Sequence, residues 1–284
     1  MTTPAVSQFV KHGDTLYGVG MDNAVWETKI QSQGGASSWK RITEGSVKMI
    51  QYHNGILYGL GMEGDIWKWI HGKWSKINGG GTVTKFLISG NDIYGIGTDK
   101  AVWKSNIHGA TWSRITSGSI TDLAVWNGHF YGVGTENDIW RHPIHGGNSW
   151  QKMTPPCVSK LFVQDNFIFG IGTNHGQIHG FPINSSGPWK EITKNITGGK
   201  MSEFLMDASG QIYAIGSDKA IYRTSGNHRG HHGGHHGGHH GGHHGGHHGG
   251  HHGGHHGGHH GGGFGDFAGP AGGILKTASS DRIS

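Results

Sequence analysis

Tryptophan side chains near turn acids are the groups in this sequence whose types and spacing could bind a ligand. Variable stretches of chain lie at protein surfaces. A tryptophan ring exposed there can take the C–H face of a sugar, while a few polar groups bind its hydroxyls. For tryptophans that follow such stretches, ligand contact and a structural role are both open. Five of them open a Trp-x-x-apolar segment: Trp39, Trp74, Trp112, Trp150 and Trp189.

A second set of tryptophans ends an apolar-Trp pair that follows an acidic turn. The pattern favours core packing for this set, which consists of Trp26, Trp67, Trp103 and Trp140. Asp and Asn are common in turns because their side chains bond to nearby backbone, and the same groups could bind sugar hydroxyls. The turn residues are therefore candidate ligand-binding residues as well as turn formers: Asp22, Asn23, Asp65, Asp99, Asn137 and Asp138.

Histidines form a low-complexity tract near the C-terminus. Residues 231–260 are His-His pairs separated by Gly-Gly. Imidazole binds Zn²⁺, Cu²⁺ and Ni²⁺, and histidine gains charge between about pH 8 and pH 5. One hypothesis is that the tract binds metal or responds to pH without a fixed geometry. The other is that it is a neutral repeat expansion. The candidate metal ligands are His231, His232, His235, His236, His239, His240, His243 and His244.

Catalytic patterns are missing from the sequence. It contains no nucleophile elbow, phosphate-binding loop, dinucleotide fingerprint or ordered metal triad. Its recurring acids occur once per repeat rather than as a pair across a cleft. Cys157 is the single cysteine, so no intrachain disulfide forms, and it is predicted to be inert. We predict a protein that is not an enzyme and requires no cofactor.

One unit recurs six times, and this repetition predicts the architecture. Its core is a Tyr-Gly-apolar-Gly run, an acidic turn and an apolar-Trp pair, as in LYGVGMDNAVW at residues 16–26. The aromatic residue near the start of each copy recurs every 36 to 44 residues: Tyr17, Tyr58, Tyr94, Tyr131, Phe169 and Tyr213. An apolar residue precedes it by eleven or twelve positions: Val6, Val47, Val83, Ile120, Val158 and Met201.

Each unit predicts four short strands, and four strands in about 40 residues are typical of a propeller blade. A polar two-residue turn such as Asp22-Asn23 would join the second and third strands. That turn would place Val19 opposite Trp26, so that the aromatic residues share one side of the sheet. The other side is cleared by Gly18 and Gly20 and could receive the aromatic side of a neighbouring copy.

Head-to-tail contacts of this kind close into a ring when the rotation is right, and closure leaves only short, protected sheet edges. The sequence therefore predicts an all-β fold, a six-bladed β-propeller over residues 1–222, followed by a disordered His/Gly-rich C-terminal tail over residues 223–284. The sixth unit lacks its own Trp-x-x-Ile strand. Residues 273–279 could supply that strand, or the blade could remain three-stranded.

Composition limits the partners and the location. Charges are nearly balanced over residues 1–222, and no basic stripe accompanies the formal net charge of +5, which argues against nucleic acid. No apolar run approaches the roughly 20 residues of a membrane span, and the first residues lack the features of a secretory signal. We expect a protein of the cytoplasm, or one secreted by a non-classical route, without membrane insertion.

The repeat resembles the tectonin (tachylectin-1-like) family, whose units carry the Tyr-Gly-apolar-Gly run, the acidic turn, the apolar-Trp pair and a later Trp-x-x-Ile. The resemblance covers residues 5–222. It implies a lectin propeller that binds microbial surface glycans, such as lipopolysaccharide or O-methylated sugars, in defence or agglutination. Units five and six depart from the pattern, so the resemblance does not carry equivalent sites to them. The departing residues are Phe169, His179, Ala214 and Tyr222.

Three hypotheses for the function follow. The first is multivalent, non-enzymatic carbohydrate binding to microbial or cell-surface glycans, in which repeated weak sites on one ring raise avidity roughly 10²–10⁴-fold. The second is a protein-interaction scaffold, because propellers offer flat binding faces. The third is an assembly protein that binds divalent metal ions or responds to pH through its histidine tract.

Overall fold

The described residues form six four-stranded antiparallel sheets, and these sheets are the blades of a propeller. Every element of the described residues is a β-strand, so none of them forms a helix that could cross a membrane. This confirms the predicted all-β, six-bladed architecture. The computed structural model describes residues 4–31, 36–78, 83–109, 111–147, 149–155, 157–185, 187–192 and 199–224, with the backbone of 280–283.

The strands follow each other from the centre of the ring outwards in every blade. The innermost strands are β1 (Val6–His12), β5 (Val47–His53), β9 (Val83–Ser89), β13 (Ile120–Trp126), β17 (Val158–Gln164) and β21 (Glu203–Met206). The second strands are β2 (Thr15–Gly20), β6 (Ile56–Gly61), β10 (Asp92–Gly97), β14 (His129–Gly134), β18 (Phe167–Gly172) and β22 (Ile212–Ile215). The third strands are β3 (Val25–Lys29), β7 (Ile66–Ile70), β11 (Val102–Asn106), β15 (Ile139–Pro143), β19 (Ile178–Pro182) and β23 (Ile221–Thr224). The outermost strands are β4 (Lys40–Arg41), β8 (Lys73–Asn78), β12 (Ser113–Arg114), β16 (Gln151–Thr154), β20 (Lys190–Glu191) and β24 (Ser280–Ile283).

The turn between the second and third strands has three residues in five of the blades. In blade one, the backbone N–H of Gly20 donates to the carbonyl of Ala24, with the two atoms 2.9 Å apart. Asn23 has a left-handed φ of 59°, which fits a type I turn followed by a left-handed residue, a common three-residue hairpin. The same left-handed backbone occurs in the other blades, at Gly64, Lys100, Asn137, Gly176 and Lys219.

This third turn residue makes the predicted strand register wrong by one position. Trp26 pairs with Gly18, and Val25 pairs with Val19, whereas a two-residue turn would have placed Trp26 opposite Val19. A one-residue slip moves every side chain to the opposite side of the sheet. Trp26 therefore lies on the glycine side and not on the aromatic side.

In blades one to three, the glycine side of the sheet is filled by the tryptophans of the same blade. A Cβ atom on Gly20 would lie 2.8 Å from Nε1 of Trp26, and one on Gly18 would lie 2.8 Å from Cγ1 of Val6, with the ring of Trp39 in van der Waals contact at 3.4 Å. These close approaches are the reason that the two positions are glycine. The space that the sequence suggested for a neighbouring blade is taken up within the blade itself.

Blades still stack head to tail, as predicted. Tyr17 and Val19 of blade one pack against Leu57 and Trp74 of blade two in one hydrophobic cluster. The same contact closes the ring, because Tyr213 and other apolar residues of blade six pack against the corresponding side of blade one, with Val6, Leu16 and Trp39.

Backbone hydrogen bonds at the left-handed turn residues reinforce this closure. The carbonyl of Asn23 accepts from the N–H groups of Ser46 and Val47 at the start of blade two, at 3.0 and 3.2 Å. The carbonyl of Lys219 in blade six accepts from the N–H of Val6 in blade one at 3.3 Å. The turns of blades one, three, four and six therefore hold the first strand of the following blade.

The sixth blade has a fourth strand, contributed from the end of the sequence. β24 pairs antiparallel with β23, with Thr224 opposite Ser280 and Ile221 opposite Ile283. The strand lies just after residues 273–279, the segment considered for this role, which is outside the described residues. Strand β23 runs from Ile221 to Thr224, across the predicted domain boundary at residue 222. The His-Gly tract is thus inserted between two neighbouring strands of blade six.

Candidate functional site

An indole, a carboxylate and a guanidinium group meet at the β2–β3 turn of blade one. Oδ1 of Asp22 accepts hydrogen bonds from the backbone N–H of Ala24 at 3.1 Å and from Nε1 of Trp26 at 3.3 Å. Nε of Arg41, on the outermost strand, lies 3.5 Å from Oδ2 of Asp22. The turn fixes the carboxylate and the carboxylate fixes the ring, so the three groups keep one geometry.

Blade three repeats this arrangement. Oδ1 of Asp99 accepts from the backbone N–H of Ala101 at 3.0 Å and from Nε1 of Trp103 at 3.1 Å. Nε of Arg114 lies 3.2 Å from the other carboxylate oxygen. The hydrogen bond from Trp103, followed by that from Ala101, lowers the pKa of Asp99 below its ordinary value. The group therefore carries a fixed negative charge at neutral pH.

Blades two and four place the carboxylate two residues closer to the next strand. Nζ of Lys152 lies 2.8 Å from Oδ2 of Asp138 and 5.7 Å from the ring centroid of Trp140. Burial raises the pKa of Asp138, but hydrogen bonds from Lys152 and Trp140 outweigh burial, and the net pKa is lowered. Blade two has the same triad, with Lys76 2.8 Å from Asp65.

We call these four triads the turn-face clusters, because they lie on the face of the ring that carries the β2–β3 turns. A shared position in the blade, rather than a shared sequence offset, defines them. Their members are Asp22, Trp26 and Arg41; Asp65, Trp67 and Lys76; Asp99, Trp103 and Arg114; and Asp138, Trp140 and Lys152.

Blades five and six replace the indole. Tyr222 of blade six donates a hydrogen bond from its hydroxyl to Oδ2 of Asp218 at 2.9 Å. His179 of blade five lies with Nδ1 3.2 Å from the carbonyl oxygen of Gln177. These two blades therefore present different chemistry from the other four at the same position.

The tryptophans that open the outer strands lie between the blades. All five are half-buried, each packs against a hydrophobic cluster, and no described residue accepts a hydrogen bond from any of their buried indole nitrogens. The carboxylates of Asp22 and Asp99 hydrogen-bond to Trp26 and Trp103 instead of to this set. The structure thus brings the predicted acids together with the tryptophans predicted to be core. The five are Trp39, Trp74, Trp112, Trp150 and Trp189.

The two predicted turn asparagines have a backbone role. Asn23 and Asn137 both have left-handed φ angles, of 59° and 65°. The carbonyl of Asn137 accepts from the N–H groups of Cys157 and Val158 in the next blade, at 2.9 and 3.2 Å. These contacts account for the turn-forming part of the prediction.

The histidines predicted to bind metal, from His231 to His244, lie outside the described residues. Within the described ranges, no group of three or more His, Cys, Asp or Glu side chains is arranged to hold a metal ion. The prediction of Zn²⁺, Cu²⁺ or Ni²⁺ binding therefore stays a prediction.

A central channel, which the sequence reasoning missed, runs along the innermost strands. It encloses about 1010 Å³. Oδ1 of Asp122 in blade four pairs with the ammonium of Lys85 in blade three, and Oδ2 accepts from the backbone N–H of Leu161 in blade five at 2.9 Å. One carboxylate thus joins three consecutive blades.

Further polar contacts across the channel join the remaining blades. Lys160 of blade five pairs with Glu203 of blade six. Burial lowers the pKa of Lys160, but the charges of Glu203 and Asp122 outweigh burial and raise the net pKa. In blade one, the amide of Gln8 accepts from Ile50 N–H at 3.0 Å and donates to the Ile50 carbonyl at 3.1 Å.

The sequence contains a signal for these polar channel contacts. Two positions after the apolar residue that opens each unit, five of the six blades carry a residue that is polar, and only Met49 of blade two breaks the pattern. These residues are Gln8, Met49, Lys85, Asp122, Lys160 and Glu203.

Comparison with known proteins supports the fold and no narrower class. No protein-family model matches the sequence, and no curated protein matches it significantly. The chain is similar to the WD40 β-propeller domain of Doa1, with TM-score 0.56 and 14% identity over 78% of this chain and 79% of that one. It is also similar to the Cps50 (Swd1) β-propeller domain of Myceliophteria thermophila, with TM-score 0.55 and 10% identity over 80% and 85% of the chains.

A computationally designed protein, Ika8, is similar to the same extent, with TM-score 0.53 and 12% identity over 78% of this chain and 84% of that one. At such identities the similarity shows the fold alone. The protein is a six-bladed β-propeller.

Proposed function

We propose that this propeller is a multivalent, non-enzymatic lectin of the tectonin type that binds microbial surface glycans in the cytoplasm or after non-classical secretion. One observation carries the proposal. Four consecutive blades hold the same indole–carboxylate–cation triad at the same place on one face. An aromatic ring with a few fixed polar groups is the composition of a sugar site.

The charges in these triads suit hydroxyl recognition. A carboxylate that already accepts a hydrogen bond from the indole has further lone pairs for a sugar hydroxyl. Arg41 and Arg114 keep 39% and 50% of their side chains exposed, so both can donate to a ligand. Lipopolysaccharide or O-methylated sugars are the ligands that the tectonin resemblance favours.

Repetition on a rigid ring supplies the affinity that a single shallow site lacks. Once one triad binds a repetitive surface, the neighbouring triads are held at high effective concentration, which raises avidity roughly 10²–10⁴-fold. We therefore expect strong binding to dense arrays of glycan and weak binding to a single free sugar.

A glycan array with the full chain tests this function. We expect binding to bacterial or methylated glycans, reduced at least tenfold in the double variant Arg41→Gln/Arg114→Gln, because two of the four triads lose their cation. Lys29→Gln is the matched control, since Lys29 forms an exposed ion pair with Asp14 away from these triads. Absence of signal on every glycan, or equal binding by both variants, contradicts the proposal.

The His-Gly tract needs its own control. Replacing residues 225–279 with a short Gly-Ser turn keeps β24, whereas truncation at residue 222 would remove the fourth strand of blade six. Glycan binding that survives the replacement assigns the activity to the propeller.

A protein-interaction scaffold is the second candidate, and one observation favours it. Met21 and Met62 are 63% and 56% exposed, and they occupy the same turn position in adjacent blades. Methionine is common on adaptable protein-binding surfaces. A silent glycan array, together with a protein partner whose binding is lost in Met21→Gln/Met62→Gln, would support this function instead.

A further inference from the structure

Two departures of blade five from the repeat meet at one place. The first is His179, which stands where blades one to four have tryptophan. The second is an extra residue in the β18–β19 turn, where the N–H of Gly172 donates to the carbonyl of Gln177 at 2.8 Å and four residues lie between them. A smaller ring opens space beside the strand, and a longer turn adds side chains to the edge of that space.

The space is a cavity of about 270 Å³. Its inner wall includes Trp189, Val158 and His179, and its rim includes Asn174 and His175 from the lengthened turn. In blades one to four the corresponding glycine is covered by the blade's own indole: Cβ atoms on Gly20, Gly61, Gly97 and Gly134 would lie 2.6–2.9 Å from the indole nitrogens of Trp26, Trp67, Trp103 and Trp140. In blade five the imidazole covers the glycine instead, since a Cβ atom on Gly172 would lie 2.9 Å from Cε1 of His179, but an imidazole fills less space than an indole.

Polar groups at the cavity have defined roles. Nδ1 of His179 lies 3.2 Å from the carbonyl of Gln177. Because a carbonyl can only accept, Nδ1 is the donor in this contact. The side chains of Thr173, Asn174 and His175 are exposed at the rim and add donors and acceptors. The cavity thus combines an aromatic wall with several hydrogen-bonding groups.

We propose that the cavity of blade five binds a single pyranose ring, packed against Trp189 and held by the polar groups of His179 and the lengthened turn. A drug-sized ligand needs roughly 300–1,000 Å³, so 270 Å³ suits one sugar ring. The inference rests on the proposed lectin function. It departs from the tectonin resemblance, which carries no equivalent site to this blade.

Calorimetry with methyl hexopyranosides tests the proposal. The probes are the methyl glycosides of glucose, mannose, galactose and N-acetylglucosamine, titrated into the full chain. We expect one of them to bind at one site per chain. His179→Trp should weaken that binding at least tenfold, because the indole would fill the cavity as it does in four sister blades. His175→Ala should weaken it severalfold and leave the thermal midpoint unchanged.

Alkylation of Cys157 gives an independent measure of whether the cavity is occupied. Cys157 is the only cysteine of the chain and lines the cavity. Burial raises the pKa of its thiol, so alkylation by iodoacetamide is followed by mass spectrometry above pH 8. The bound hexoside should slow alkylation of the wild type at least threefold and have no effect on the alkylation of His179→Trp.

The outcomes separate this inference from the proposed function. Array binding that is unchanged in His179→Trp, with no hexoside protection of Cys157, overturns the blade-five site and leaves the turn-face clusters as the lectin sites. A cavity that takes up free indole but no hexoside overturns the assignment of a sugar. Absence of glycan binding on the array and by calorimetry overturns both.

Discussion

The two sets of tryptophans lie on the same side of each sheet but in different surroundings. Trp67 and its counterparts lie at the turn face, beside a carboxylate and a cation. Trp39, Trp74 and Trp112 lie between blades, with ring edges over a glycine of the second strand and with buried indole nitrogens. Residue type alone does not separate these surroundings. In blade two, the position in the blade decides which ring packs between blades and which lies at the turn face.

The comparison also explains why the glycines recur in pairs. In blade two, Gly59 lies under Trp74 and Gly61 lies under Trp67. One glycine therefore permits blade-to-blade packing, and the other permits the turn-face cluster. The Gly-x-Gly run is needed because each glycine makes room for one tryptophan ring, and not because the backbone must be flexible.

Removal of a tryptophan ring that lies between two blades should have the largest effect on stability. Trp74→Ala should lower the free energy of unfolding by about 3 kcal/mol, because removal of a large, half-buried ring leaves a cavity between blades one and two. Trp67→Ala, in the same blade, should cost clearly less because its ring lies at the turn face. Urea unfolding followed by circular dichroism measures both.

Glycan binding should show the reverse order in these two variants at temperatures where both are folded. Trp67→Ala removes the ring of a turn-face cluster, whereas Trp74→Ala leaves all four clusters in place. Equal losses of stability, or loss of glycan binding only in Trp74→Ala, would show that the two sets are assigned the wrong way round.

A smaller loss of stability is expected when Gly59, which lies beneath the ring of Trp74, gains a methyl group. The Cβ of Gly59→Ala would lie 2.7 Å from Cγ1 of Val47 and 2.8 Å from Cη2 of Trp74. Overpacking of this kind costs about 1–3 kcal/mol. The free energy of unfolding should fall by this amount in urea.

A double-mutant cycle identifies the partner in this clash. In the Trp74→Ala background, the extra methyl group should cost less, because one of its two close neighbours has been removed, and the two changes should not be additive. Strict additivity would mean that the ring of Trp74 does not lie over Gly59.

Most of the fold could be predicted from the sequence, because six copies of one unit constrain it together. The copies fixed the number of blades and the head-to-tail stacking. The register could not be predicted, because both sides of the second strand are apolar: Leu16 and Val19 point to opposite sides, and both are fully buried. Alternation sets the register only when one side is polar. The turn therefore decided it, and Met21 is the third turn residue that the sequence did not predict.

Only part of the site could be predicted, and the register is again the reason. The acids at the turns were found, but their partner rings depend on the register, so Trp39 was chosen where Trp26 hydrogen-bonds to Asp22. The channel contacts were out of reach because they join different blades. Lys85 and Asp122 are 37 residues apart and meet only once the ring has closed.

The smallest effect concerns the two kinds of turn-face carboxylate. Asp138 is 6% exposed as a side chain and Asp99 is 40% exposed. The lowered pKa of Asp138 means that its carboxylate stabilises the fold above its ordinary pKa of 3.8, and that this stabilisation is lost as the pH falls through the lowered value. Asp138→Asn should therefore cost about 1–2 kcal/mol at pH 7, since it weakens a buried, charge-assisted hydrogen bond, and almost nothing at pH 2.

Asp99→Asn is the matched comparison. The pKa of Asp99 is lowered as well, but solvent screens this exposed carboxylate. The loss of stability in Asp99→Asn at pH 7 should therefore be smaller than that in Asp138→Asn. Urea unfolding at pH 7 and at pH 2 measures both variants. A loss in Asp138→Asn that is the same at both pH values would mean that shape, and not charge, makes this carboxylate important. Larger pH dependence in Asp99→Asn would reverse the order of burial that separates blade four from blade three.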